Sequence, residues 1–350
     1  MMILPQLSFL PYAVIFIAKC CAHAIASELA KDIFLIPQIG KKYPQGNCAS
    51  PNINKQDIDS IVDTTARMLE NAEERVMNLL GIPEGEPTTD MLEVTTAKTA
   101  VVLAGVDPSI LGDDGTVVLS EDARGTLETL RGNLYGAKYI LENKREEWEK
   151  PRYLTCDDTA WKWQATKDEV MAGSYNSKLW GIDFPVSHDY VSSHEGWDPA
   201  KGLCAINGLL GGVRHEEQVM ILCPALFTKP DSDLLRDRQY RLDEGDPLND
   251  VLTMQGAFLH EMMHLSDGNR CALAVLDRTV DGKPAYGYDL CSQLPDAEKL
   301  GNADNYQLIA TALWLDEFDW STGKAVPLPT DDDGNGDRDG SDQSSLTGEL

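Results

Sequence analysis

The sequence predicts an α+β fold, in which helices pack on a small sheet and one helix carries an H-E-x-x-H segment. Three features lead there: two long stretches with apolar residues at helical spacing, a β-branched apolar run at 218–223, and a further helical stretch holding His260-Glu261-Met262-Met263-His264. From Ile58, apolar residues recur at Ile61, Val62, Met68, Leu69, Ala72, Val76, Leu79 and Leu80, the pattern of a helix with one buried face, and Gly81 with Pro83 stops it. A second helix is expected behind Ser120, with Glu121 and Asp122 in its first turn and Leu127, Leu130, Leu134, Ala137, Ile140 and Leu141 inward. The strand at 218–223 is expected to neighbour 202–206, with Gly211-Gly212 in the connection. The helix bearing the motif is expected to begin near Asp246-Pro247-Leu248-Asn249 and to end at Asp267-Gly268. A last helix follows Asn302 and presents Tyr306, Ile309, Ala310, Leu313 and Phe318 on one side.

With 350 residues, 42% of them hydrophobic, the chain can bury a sizeable core. Its formal net charge of -27 argues against nucleic acid or anionic membranes as partners and fits a cationic partner or substrate. Residues 1–26 read as a secretory signal peptide: an apolar stretch, then Ala22-His23-Ala24 and Ala24-Ile25-Ala26 as cleavage signals. Pro5, Gln6 and Pro11 interrupt the run, whereas a membrane span needs about 20 apolar residues, so the chain is expected to be secreted and extracellular with no stable membrane anchor. Residues 27–47 then form an arm or a short propeptide, 48–322 the folded domain, and 323–350 an acidic disordered tail; within the domain, about 48–150 is helical scaffold and about 151–322 carries the chemistry. Cys20 and Cys21 would leave with the signal, and Cys48, Cys156, Cys204, Cys223, Cys271 and Cys291 remain, an even set that suggests three disulfides in an exported chain.

His260 and His264 stand one helical turn apart, so both imidazoles point at one spot and can hold one zinc ion. Glu261 projects beside them as general base toward a water whose pKa the metal lowers. That is the chemistry of a zinc metalloendopeptidase acting on protein or peptide substrates, basic ones among them. The plainer reading is coincidence, since short motifs recur in unrelated proteins. His188, His194 and His215 lie in polar sequence and read as surface residues. Catalytic zinc normally takes three protein ligands, and no His follows His264, so a carboxylate is expected as the third.

Ala285-Tyr286-Gly287-Tyr288, followed by Gly301-Asn302-Ala303-Asp304-Asn305-Tyr306, resembles the deuterolysin and peptidyl-Lys metallopeptidase family, the aspzincins. That family joins H-E-x-x-H to a downstream G-T-x-x-D whose Asp is the third ligand, then a Tyr-Gly, then an Asn-Ala-Asp opening a helix. Ile221-Leu222-Cys223-Pro224-Ala225-Leu226-Phe227 is similar to the strand before the active helix, Cys204 lies where its disulfide partner would be, and Cys48 has a counterpart near the start of such domains. The likeness covers roughly residues 48–320 and implies a zincin-like metallopeptidase domain. It implies His260, His264 and one Asp as ligands, Glu261 as base, and Tyr286 as donor to the oxyanion of the tetrahedral intermediate. No intact G-T-x-x-D precedes Tyr286. Asp281, with Thr279 before it and Gly282 after it, is the first choice for the third ligand, Asp277 the second and Asp267 the third, each also readable as a turn or cap residue. Asp304 corresponds to the substrate-binding acid that helps receive a lysine in peptidyl-Lys members, and the second acid there is replaced by Gln307. Asp304 equally reads as an acid complementing a helix N-terminus.

The acidic stretch 331–342 spaces oxygen ligands as a calcium loop does, with Gly336 at its sixth position, but Arg338 and the missing helical flanks favour a solvated tail. Two other readings compete with the peptidase. One is a secreted, non-catalytic binding or effector protein on the same scaffold; the other is calcium-dependent assembly through the tail.

Overall fold

The computed structural model describes residues 29–36, 48, 55–143, 151–177, 181–266 and 275–328; the signal segment, Asp267, Cys271 and the stretch 331–342 lie outside the described residues. A short helix, α1 (Leu29–Ile33), comes first, and Ile33 and Phe34 are buried, so this part of the expected arm is built into the core. The first amphipathic stretch is α2 (Lys55–Gly81), with Ile61, Val62, Met68, Leu69, Ala72, Val76 and Leu79 buried as their spacing predicts. The short strands β1 (Pro87–Thr88) and β2 (Val117–Val118) pair across α3 (Met91–Ala104), a helix that the spacing does not reveal. Asp90 caps α3 by accepting from the Leu92 and Glu93 N–H groups. Gly105 ends it at φ 74°, where a Cβ would also lie 2.4 Å from the Asp296 carbonyl oxygen. Ser120 caps α4 (Glu121–Glu142) through the Ala123 N–H, and α4 packs along α2.

β3 (Tyr153–Thr155) is followed by an antiparallel meander of β4 (Lys162–Ala165), β5 (Met171–Ser177) and β6 (Ile182–Ser187), which leads into α5 (His188–Ser193). The meander closes over a second, smaller apolar cluster in which Trp161, Tyr175 and Val186 meet Val219 and Ile221. In the other sheet, β7 (Gly211–Arg214) pairs antiparallel with β8 (Val219–Leu222), and β3 pairs parallel with β8 on its far side. β8 is the predicted strand, but its neighbour differs from expectation. Residues 203–205 form a 3-10 turn, held by the Cys204–Cys223 disulfide and by the Cys204 N–H donating to Asp158, while Gly211-Gly212 lie in the strand itself. Glu261 explains the glycine, because a Cβ on Gly211 would lie 2.9 Å from Glu261 Cγ, and only a bare backbone brings β7 this close to the helix. A second disulfide joins Cys48 to Cys156. Cys291 is a buried thiol without a disulfide partner among the described residues.

After α6 (Ser232–Arg236), residues 248–250 form a 3-10 turn, and the helix expected from Asp246 begins later, as α7 (Met254–Ser266). Thr253 sets that start: its hydroxyl accepts the Gly256 N–H at 2.9 Å. A hairpin of β9 (Thr279–Val280) and β10 (Lys283–Pro284) precedes α8 (Gly287–Cys291), α9 (Asp296–Lys299) and α10 (Ala303–Trp314). α10 is buried along its whole length between α7, α2 and α3. Phe318, expected on that helix, lies in β11 (Phe318–Asp319), whose pairing with β12 (Val326–Pro327) carries the fold past the expected boundary at 322. Among the described residues no helix is long and apolar enough to cross a membrane.

Candidate metal centre

α7 borders a cleft of about 1140 Å³, lined on one side by β7 and on another by the meander and α5. His260 Nε2 and His264 Nε2 stand 3.2 Å apart, and each is 3.3 Å from Asp277 Oδ1. Their other ring nitrogens face inward: His260 Nδ1 is 3.2 Å from Asp304 Oδ1, and His264 Nδ1 is 3.1 Å from the Val275 carbonyl. Such outer partners hold the Nδ1 protons and leave both Nε2 atoms free as donors. One donor atom from each of His260, His264 and Asp277 lies within 4.8 Å of the others. Two imidazoles with one carboxylate are donors suited to a first-row divalent cation such as zinc.

Asp277 reaches this position because both of its neighbours are clamped to the start of α10. The Leu276 N–H donates to the Gly301 carbonyl and the Ala303 N–H to the Leu276 carbonyl, each at 3.0 Å, while the Arg278 N–H donates to Asn302 Oδ1 at 2.9 Å. Asn302 in turn donates to the Ala285 carbonyl and to Asn305, which donates to the Leu103 carbonyl. Asp281, the first choice from the sequence, is exposed and outside the cluster. It forms with Gly282 the two-residue loop of the β9–β10 hairpin, with φ 51° and 77°. Asp-Gly is the favoured pair for such a turn, and turn geometry is what places it there.

Glu261 lines the cleft beside the two histidines. Burial raises its carboxyl above the ordinary value and Asp277 adds to this, while His260 and His264 pull it back. Burial would lower His260, yet the Asp277 and Asp304 carboxylates hold it well above the ordinary imidazole value. Burial likewise pushes Asp277 upward, and the two imidazoles outweigh it and keep the carboxyl far below the usual range. The half-exposed Tyr286 meets His260 edge-on at 5.7 Å, and desolvation of its hydroxyl within the cleft together with the charges of Asp277 and Glu261 pushes that hydroxyl up, so it stays a donor.

Asp304, expected to receive a substrate lysine, has both oxygens engaged inside the protein. Oδ1 faces His260 and Oδ2 accepts the Gly287 N–H at 2.6 Å, which makes it a positioning group for His260. Gly287 has φ 73°, and a Cβ there would meet Asn249 Oδ1 at 2.8 Å, so the Tyr286-Gly287 pair serves that contact.

Tyr190 enters the cleft from α5, a position that no local pattern in the sequence marks. Burial and the charges of Glu261 and Asp277 push its hydroxyl up to about 12, and its ring lies 4.5 Å from His194 and 5.8 Å from Trp197. His194, read from the sequence as a surface residue, also lines the cleft, as does His215. The chain matches no protein-family model and no curated protein.

Proposed function

We propose that the chain is a secreted, disulfide-stabilised zinc endopeptidase with a zincin-like architecture. The observation that carries this reading is the convergence of His260, His264 and Asp277 beside Glu261 in an open cleft. The donor set fits zinc, because both imidazoles are oriented by outer partners and three protein ligands leave a position for water. Zinc, when bound, supplies Lewis acidity for a scissile carbonyl and lowers the pKa of a water toward neutrality. Glu261 takes the proton of the attacking water and returns it to the leaving amine. Tyr286 donates a hydrogen bond to the oxyanion of the tetrahedral intermediate, and Tyr190 offers a second hydroxyl from α5. β7 is an edge strand among the described residues and lines the cleft, so an extended peptide can add to the sheet there and lie across the histidines. Export fits the two disulfides.

The mature protein is expected to hold about one zinc per chain and to cleave casein. A chelator removes both properties, and added zinc restores them. Metal-free, inert wild-type protein would instead leave a non-catalytic binding protein on the same scaffold. Gly211→Ala provides a second check: the new Cβ forces Glu261 aside, and cleavage is expected to fall by about 10²-fold with zinc retained, as measured by kcat/KM and metal content.

A further inference from the structure

Where α7 begins, the cleft includes a recess with apolar walls from Val251, Leu252, Ala257 and Leu308. Gln307 and Thr311, one helical turn apart on α10, also line it. They are only 6% and 4% exposed, and neither side chain makes a hydrogen bond with any described residue. Gly256 lets α7 approach α10 closely beside these groups: a Cβ there would lie 3.1 Å from Thr253 Oγ1 and 3.2 Å from Thr311 Oγ1. The amide and the hydroxyl reach the cleft without partners in the protein, so they are available to a ligand, and an apolar recess with a few convergent polar groups is how small binding sites are built.

We propose, resting on the peptidase reading above, that this recess is the specificity pocket of the cleft and takes the uncharged carboxamide side chain of a glutamine or asparagine in the substrate. The amide of Gln307 and the hydroxyl of Thr311 both donate and accept, which matches a carboxamide presenting one group of each kind. The apolar walls cover its methylenes. A lysine would bring its charge to a site where Gln307 offers no carboxylate and where both oxygens of Asp304 are already engaged. A leucine would fill the space but leave Gln307 and Thr311 unpaired, and sites built to hydrogen-bond reject such analogues strongly.

Peptides of one alanine-rich sequence, varied at a single position among Gln, Asn, Leu, Lys and Glu, test this. Cleavage by the mature wild-type protein and binding to Glu261→Gln are read side by side. Cleavage next to Gln or Asn is expected to exceed the other peptides by about tenfold or more in kcat/KM, with the same order in binding. Gln307→Leu is expected to shift the preference to Leu, and Gln307→Glu to shift it to Lys. Thr311→Val serves as the near-isosteric variant should either fail to fold. A wild-type preference for Lys or Leu, or a Gln preference that survives Gln307→Leu, overturns the pocket assignment. Peptides bound in the expected order but never cleaved would sink the peptidase reading and keep the pocket; no binding and no cleavage of any peptide overturns both.

Discussion

Glu261→Gln is expected to lower kcat/KM for peptide cleavage by about 10²- to 10⁴-fold while zinc content stays unchanged. Glutamine has nearly the same shape, so the contact with Gly211 survives and β7 keeps its place beside α7. What is lost is the ability to accept a proton. Glu261 is not among the three residues whose donor atoms converge, so the metal has no reason to leave with the carboxylate. Zinc content and initial rates on one preparation separate the roles. Zinc lost together with activity would place Glu261 among the ligands, and full activity would remove it from the mechanism.

The sequence reveals an element here when that element has one buried face. α2 and α4 do, and their three-and-four spacing reads directly. α3 is enclosed by other helices and shows no polar stripe that defines a period, whereas α10 is read correctly from its start behind Asn302 and differs in being buried on every side instead of one. β7 fails for a different reason. Gly211-Gly212 is a turn signal in sequence, and its strand role depends on Glu261, which folding alone brings against it. The meander is equally hidden, and with it Tyr190, because its apolar residues Trp161, Tyr175 and Val186 pack on the face of β8 turned away from the main core, a contact that only folding creates.

The site divides along the same line. His260, Glu261 and His264 are local, one turn of one helix, and their convergence follows from helical geometry. The third donor is not local. Asp277 is set by hydrogen bonds between its neighbours and residues 301–303, so the geometry of one stretch is written in another. The same Asn302 clamp brings Asp304 behind His260, which gives the acid a partner within the protein in place of a substrate lysine. One local signal does separate the aspartates: Asp281-Gly282 between short extended segments is the signature of a two-residue hairpin loop, whereas Asp277 lacks any such turn signature.

Asp277→Ala, Asp304→Ala and Asp281→Ala are therefore expected to weaken zinc binding in that order. An outer partner of a ligating histidine is worth about 10- to 100-fold in metal affinity, which sets the expectation for Asp304→Ala. Asp277→Ala removes a donor atom itself and is expected to exceed that range, leaving two imidazoles that cannot hold the metal against a competing chelator. Asp281→Ala takes nothing from the cluster. Its cost falls on the hairpin, where alanine tolerates φ 51° less well than aspartate, at about 1 kcal/mol of stability with zinc affinity unchanged. Competition against a chromophoric chelator ranks the three affinities, and thermal unfolding of the metal-free forms reads the stability change separately. Should Asp281→Ala strip the zinc while Asp277→Ala retains it, the hairpin would have to fold over the histidines in the metal-bound protein, and the Asn302 clamp would be scaffold for Tyr286 alone.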